Sequence, residues 1–387
     1  MSAAPKNVAV LGSTGSIGTN ALEVIEASEG RLRAVALSAH GKLERLLEQA
    51  RRLKPRWIVA TDEPHARRFD WSSLPEETQL LTGAQGLMQV AAAEEVDVVL
   101  GAIVGSAGLR STWAALEAKK TVALANKETL VVAGPLLMRL AAERGGRILP
   151  VDSEPSAIFQ ALHAGRPEEV RRIVLTASGG PFRDRSLDEL KQVTVDDALL
   201  HPTWAMGRKI TVDSATMMNK ALEIIEARWL FNLSAEQIEV VIHPQSVVHS
   251  FVEFLDGSIV AQLSPPDMKL PIQYALNYPH RRPGIGERLD WRAPWRLDFE
   301  PADVERSPAL ELGYEAARSG GTSGAVLNAA NEAAVEAFLE GELHFTEIVP
   351  ACRSVLEAHN FDPHPTLERL EELDRWARQE VTRWVCA

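Results

Sequence analysis

At 387 residues the chain is too long for one ordinary core, so two or three domains are expected. Its hydrophobic fraction of 45% and charged fraction of 24% are those of a globular protein, and no segment reaches the apolar length of a membrane span. A formal charge of −12 excludes wholesale nucleic-acid binding, which needs a basic footprint, so any anion site must be local.

Met1 runs almost at once into an apolar strand, Asn7–Leu11, so neither a signal nor a transit peptide is expected. Gly12, Ser13, Thr14, Gly15, Ser16, Ile17 and Gly18 follow, and a helical pattern continues through Ala21, Leu22, Val24 and Ile25. Strand, glycine turn and helix in succession mark a dinucleotide site. The first glycine permits the tight turn, the second lets backbone approach a pyrophosphate, and the third lets the helix pack closely. The unpaired N–H groups of the helix N-terminus then face the anion. At the end of the next strand, Leu32–Leu37, an NAD site usually places an acid for the ribose 2′-hydroxyl. Here Ser38, His40 and Lys42 stand instead, which suits a 2′-phosphate and so NADP(H). Which of the three makes that contact stays open.

Trp57–Ala60, Val96–Leu100 and Thr121–Leu124 read as further strands of an α/β segment. The last ends at Asn126, Lys127 and Glu128, where open parallel sheets bind ligands. A solvated strand end is the other reading of that trio. Ile148–Val151 leads to Asp152, Ser153 and Glu154. A continuing strand would point both carboxylates the same way, and a hard cation such as Mg²⁺ or Mn²⁺ would relieve their repulsion. Ser178 with the glycines after it offers either a phosphate turn or an ordinary one.

Residues 201–226 carry the densest chemistry. They open with His201, and Trp204, Met206 and Gly207 have the composition of a mobile apolar lid. Read as a helix entered through Asp213 and Ser214, the following segment sets Asn219, Lys220 and Glu223 on one face. That face offers an amide and an ammonium for phosphate and a third carboxylate for a cation. His243, before proline, reads as a turn residue, and His249 sits among strand formers. Residues from about 279 to 308 read as a surface-draped linker. Ala309–Arg318, Gly324–Glu340, Phe345–His359 and Thr366–Val385 show helical periodicity, with Asn328, Asn331 and Glu332 expected on helix surface. Cys352 and Cys386 have no metal-like or redox-like spacing, which fits a reduced cytoplasmic compartment. The expected divisions are 1–150 for NADP(H), 151–285 for metal and substrate with a flexible flap, 286–310 as linker and 311–387 as a helical domain.

The strings GSTGSIG, ANKETLV, VDSE, TASGGPF, HPTWAMGRKITVDSATMMNKALEIIEA and HPQSVVHSFVEFLDGS together resemble the 1-deoxy-D-xylulose 5-phosphate reductoisomerase family over nearly the full length. The resemblance implies a Rossmann-like NADP-binding domain, a central α/β catalytic domain and a C-terminal helical bundle. It also implies an NADPH-dependent rearrangement and reduction giving 2-C-methyl-D-erythritol 4-phosphate in non-mevalonate isoprenoid synthesis. A small phosphorylated sugar as substrate, one Mn²⁺ or Mg²⁺ per subunit, a homodimer and sensitivity to fosmidomycin belong to the same expectation. By position, Asp152, Glu154 and Glu223 match metal ligands. Ser178, Ser214, Asn219 and Lys220 match phosphate-binding groups, and Ser153 a substrate contact. His201, Trp204 and Met206 match the closing flap, Lys127 the active-site lysine beside Asn126 and Glu128, and His249 a histidine of importance. The chain departs from the family in having Pro155-Ser156 where His-Asn is frequent, and Ala39-His40 where Gly-Arg or Asn-Arg is common. Two other readings stand beside this one: a two-domain NADP-dependent oxidoreductase of the homoserine or semialdehyde type, and a non-catalytic NADP(H)-sensing protein.

Overall fold

The computed structural model describes residues 4–204 and 206–386. They form two compact units. The first comprises the chain through Thr129, Leu136–Ser156 and Asp267–Glu287; the second comprises Leu130–Pro135, Ala157–Pro266 and the chain from Arg288 onward.

The first unit is built on a seven-stranded sheet of order β4-β3-β2-β1-β5-β6-β7. Its strands are β1 (Lys6–Leu11), β2 (Leu32–Ala39), β3 (Trp57–Ala60), β4 (Gln79–Thr82), β5 (Val98–Gly101), β6 (Thr121–Leu124) and β7 (Arg147–Pro150). Every neighbouring pair runs parallel. Parallel strands are covered on both faces, which is why β1, β3 and β5 read as short unbroken apolar runs and not as alternating ones. The strand order reverses between β1 and β5, where ligands bind in such sheets. The helix Ser16–Glu26 follows the glycine turn and packs against a later helix, Lys269–Asn277. Lys269 Nζ lies 2.9 Å from Glu23 Oε2, and Lys6 Nζ donates to the Leu276 carbonyl at 3.0 Å.

The second unit holds a five-stranded sheet of order β11-β10-β8-β9-β12. Its strands are β8 (Val170–Ala177), β9 (Ile238–Ile242), β10 (Val248–Phe254), β11 (Ile259–Leu263) and β12 (Glu300–Pro301). Only β8 and β9 pair in parallel among them. The helix Met218–Phe231 lies between this sheet and the C-terminal helices Pro308–Ser319, Ser323–Glu340, Ile348–Ala358 and Leu367–Val385. Its Leu222, Ile224 and Ile225 are fully buried, each worth about 1.5–3 kcal/mol. A Cβ on Gly313 would stand 2.6 Å from Ala221 Cα, so glycine is what lets Pro308–Ser319 approach so closely.

Three expectations are corrected. Residues 152–154 do not extend a strand: the helix Ser153–Ala161 begins there. Asp152 before it, Glu154 in its first turn and Pro155, whose missing N–H costs nothing there, form a helix start. The helix bearing Asn219 is not entered through Asp213 and Ser214, which lie inside a separate helix, Arg208–Ala215. The break falls at Met217, left-handed at φ 63°, where the Thr216 hydroxyl accepts the Met218 N–H at 3.3 Å. Asn328 and Asn331 are not surface residues; both are wholly buried.

Candidate functional site

In the first unit, Gly12 takes φ 90°, and a Cβ there would meet the Ala102 carbonyl oxygen at 2.4 Å. The turn after β1 therefore packs on the end of β5. Gly18 allows the helix to sit against that turn, since its Cβ would lie 2.3 Å from the Gly12 oxygen. Gly15 begins the helix with no side-chain cap, which leaves first-turn N–H groups for an anion. Ser13 Oγ donates to Gln49 Oε1 at 2.7 Å and braces the turn from below. Ser38 is buried and accepts the Gly12 N–H at 2.9 Å, so it too supports the turn. His40 and Lys42 are exposed, His40 Nδ1 lying 3.0 Å from Thr61 Oγ1. Arg45, which sequence reading missed, stands exposed on the next helix, with Nη2 donating to Thr19 Oγ1 at 3.0 Å. Its signal was a basic residue one turn beyond Lys42.

Asn126, Lys127 and Glu128 are all buried at the carboxyl end of β6, which excludes a solvated strand end. Asn126 Nδ2 donates to the Gly105 carbonyl at 3.1 Å and to Thr129 Oγ1 at 2.8 Å. Its Oδ1 is buried with no partner, an acceptor held ready for a donor. The Lys127 ammonium pairs with Asp152 Oδ2. Ser153 Oγ donates to Glu154 Oε2 at 2.6 Å, and the Ser153 N–H donates to Asp152 Oδ1 at 3.0 Å. Both carboxylates thus stand at a helix N-terminus with hard oxygen atoms of the kind Mg²⁺ and Mn²⁺ take.

In the second unit, Ser178 follows β8 at a turn made by Gly179 (φ 84°) and Gly180 (φ 69°). The Gly180 N–H donates to Ser178 Oγ at 3.2 Å. His201 Nδ1 accepts the Thr203 and Trp204 N–H groups at 3.1 and 2.9 Å. That fixes the proton on Nε2, which faces Ser178 Oγ at 3.0 Å. Burial pushes the imidazole's pKa down. The Trp204 ring stands 6.3 Å from that of His249, and His249 is buried with Nε2 2.9 Å from Ser264 Oγ. Met206 is half-buried. His243 is the turn residue expected: Nδ1 donates to the Asp298 carbonyl at 2.8 Å, and Nε2 accepts the Val247 and Val248 N–H groups at 3.1 Å each.

Asn219, Lys220 and Glu223 share the face foreseen for them. Asn219 Nδ2 donates to Glu223 Oε1 at 2.6 Å, and the Lys220 ammonium pairs with Glu223 Oε2. Glu223 is 0% and Lys220 3% exposed. A buried ion pair in a core helix is a poor way to add stability, so the pair points to chemistry. Asn219 Oδ1 is buried without a partner.

Family models described as 1-deoxy-D-xylulose 5-phosphate reductoisomerase, its C-terminal domain, and the DXP reductoisomerase C-terminal domain match residues 8–134, 148–231 and 263–380. The chain belongs to this family. The 1-deoxy-D-xylulose 5-phosphate reductoisomerase of Heliobacterium modesticaldum is 51% identical, over 98% of this chain and 97% of that one. That of Symbiobacterium thermophilum is 52% identical, over 96% and 97%. Among solved structures, a DOX-P reductoisomerase in complex with NADPH, fosmidomycin and magnesium superposes with a TM-score of 0.92 at 40% identity, covering 98% of both chains. The Zymomonas mobilis reductoisomerase with NADPH gives 0.91 at 43%, covering 98% of this chain and 99% of that one.

Proposed function

We propose that the protein is an NADPH- and divalent-cation-dependent reductoisomerase that converts 1-deoxy-D-xylulose 5-phosphate to 2-C-methyl-D-erythritol 4-phosphate. The observation that carries this is the polar face Asn219–Lys220–Glu223, its Lys220 and Glu223 buried in the first turns of a core helix, in a chain that matches the family nearly end to end. The donor set fits a hard cation, and Asp152, Glu154 and Glu223, which match the family's ligand motifs, are its ligands in this reading. The uncapped helix after Gly15 and the unpartnered Asn126 Oδ1 fit a dinucleotide, with His40 and Lys42 toward the 2′-phosphate.

A bound divalent cation supplies Lewis-acid polarisation of the substrate's carbonyl and hydroxyl oxygens. NADPH supplies the hydride for the reductive step. The chain's own residues do the rest. Lys220, Asn219, Ser178 and Ser214 hold the remote phosphate, and that binding energy orients the reacting carbons. Neutral His201 keeps its Nε2–H on Ser178 and so aims that hydroxyl. Trp204 and Met206 exclude water once the flap closes. Lys127, buried beside Asp152, brings a fixed positive charge to the oxygens that gain electron density. The enzyme acts as a cytoplasmic homodimer in this reading.

The test is NADPH oxidation with 1-deoxy-D-xylulose 5-phosphate, after chelation and again with Mg²⁺ or Mn²⁺ restored. Turnover is expected only with substrate and metal together. In the same assay Glu223→Gln is expected to lower turnover by at least about 100-fold while NADPH titrates as before. Turnover indifferent to chelation would favour an oxidoreductase of the semialdehyde type, and NADPH binding without turnover a sensing protein.

A further inference from the structure

Asn331 has no place in the chemistry above, yet it reaches the phosphate-binding segment. Asp213, one residue before Ser214, is 1% exposed on the helix Arg208–Ala215. Its two carboxylate oxygens have different partners. Lys209 Nζ, one turn earlier and next to the flap, lies 2.8 Å from Oδ2. Asn331 Nδ2, from the middle of the C-terminal helix Ser323–Glu340, donates to Oδ1 at 2.8 Å. Asn331 is fully buried, and its own Oδ1 has no partner. A helix contact needed only for packing would be better served by apolar side chains, because buried charged groups seldom stabilise more than the hydrophobic residues that could replace them. The Asp213–Asn331 bond is therefore retained for where it puts something.

What it positions is visible at the next residue. The Ser214 carbonyl oxygen occupies the space beside Gly180, where a Cβ would come within 2.6 Å. Gly180 closes the turn that carries Ser178 and donates its N–H to that hydroxyl. The helix Arg208–Ala215 thus abuts the Ser178 turn at one end and receives the flap at the other, at Gly207. Between those two ends, the Asp213–Asn331 bond ties it to the C-terminal helix.

We infer that Asn331, through Asp213, is a positioning residue that clamps the helix Arg208–Ala215 to Ser323–Glu340 and thereby sets the spacing of Ser214 and Ser178 for the substrate's phosphate. The C-terminal helices then govern affinity for the phosphorylated substrate although they supply no group that touches it. This rests on the phosphate reading of Ser178 and Ser214 given above.

The experiment compares wild type with Asn331→Leu, and with the exchanged pair Asp213→Asn/Asn331→Asp, which remakes a carboxylate–amide bond. Asn331→Leu is expected to raise KM for 1-deoxy-D-xylulose 5-phosphate by about 10- to 100-fold, with KM for NADPH unchanged and kcat little changed. Amide hydrogen exchange over residues 211–216 should quicken in the leucine variant and slow again in the exchanged pair, with inorganic phosphate protecting these amides in wild type and in the exchanged pair. If the leucine variant does not fold, the exchanged pair decides: it should bind inorganic phosphate close to wild type. Equal changes in both KM values, an unchanged substrate KM, or exchange rates that do not respond would overturn the clamp. A wild type that never turns over the substrate would sink the functional reading, while the exchange and phosphate measurements would still judge the clamp.

Discussion

His201 is held neutral by the geometry of its own loop. With Nδ1 accepting two backbone N–H groups, a second proton on the ring would break both bonds and leave a charge half-buried. Burial places its pKa in the folded loop below the ordinary 6.5. The ordered loop therefore binds fewer protons than an open one, and its advantage is complete above about pH 6.5 and shrinks as pH falls below that value. The Thr203 and Trp204 amide signals in NMR should accordingly lose their hydrogen-bonded shifts on acidification, and in His201→Phe at every pH. Hydrogen-bonded shifts that survive in His201→Phe would show that the ring is not what orders the loop. At this scale the sequence was most legible where one short stretch carries the chemistry: Asn219, Lys220 and Glu223 are set by helical spacing alone. Ser38 was legible as a polar group at the end of the second strand but not as a brace, since its partner is the Gly12 N–H, 26 residues away.

Elements were legible where their signals are local. The turn Gly12–Gly18 follows β1 as read, and the four C-terminal helices lie where periodicity puts them. The Asp152–Glu154 segment was misread because an apolar run ends there, and the strand pattern outweighed the acid–proline start of a helix. Asp213 looked like an N-cap because its type favours that role. Its carboxylate is instead taken by Lys209 and Asn331, so it caps nothing. Asn328 continues the four-residue row of Glu332, Glu336 and Glu340, which reads as a solvent face, and Asn331 stands beside that row, so the burial of the two could not be read from spacing. The glycine turn makes the element-scale prediction. In Gly18→Ala the new methyl would meet backbone on both sides, 2.3 Å from the Gly12 oxygen and 2.5 Å from Ser13 Cα, neither of which can rotate away. A loss of about 1–3 kcal/mol in stability is expected, with NADPH affinity falling because the proposed reading has the same turn bind the pyrophosphate. Calorimetric unfolding and NADPH titration check both; a variant with unchanged melting and affinity would mean that the turn is looser than its contacts imply.

At the scale of the whole molecule, two sheets of opposite character account for why one reading rule did not serve throughout. The parallel sheet has short buried strands and clear turns. The mixed sheet takes its edge strand β12 from a proline- and arginine-rich stretch with no strand pattern at all. Least legible was the return of residues 267–287 to the first unit, which depends on contacts of the helix Lys269–Asn277 with Ser16–Glu26. Ile272 and Leu276 of that helix are fully buried, each worth about 1.5–3 kcal/mol. A fragment ending at Ser156 is therefore expected to melt well below the same fragment supplied with a peptide of residues 267–287. Identical melting curves would deny the returning helix that role.

The returning helix has a consequence for how the protein is made. A ribosome adding about 5–20 residues per second releases Ser156 on the order of 5–20 seconds before residues 267–287 are synthesised. Through that interval the nascent nucleotide sheet carries a helix whose outer face has nothing against it, while the second unit is already emerging. Order of synthesis and order of assembly diverge here, and chaperone demand during translation should be concentrated in that gap.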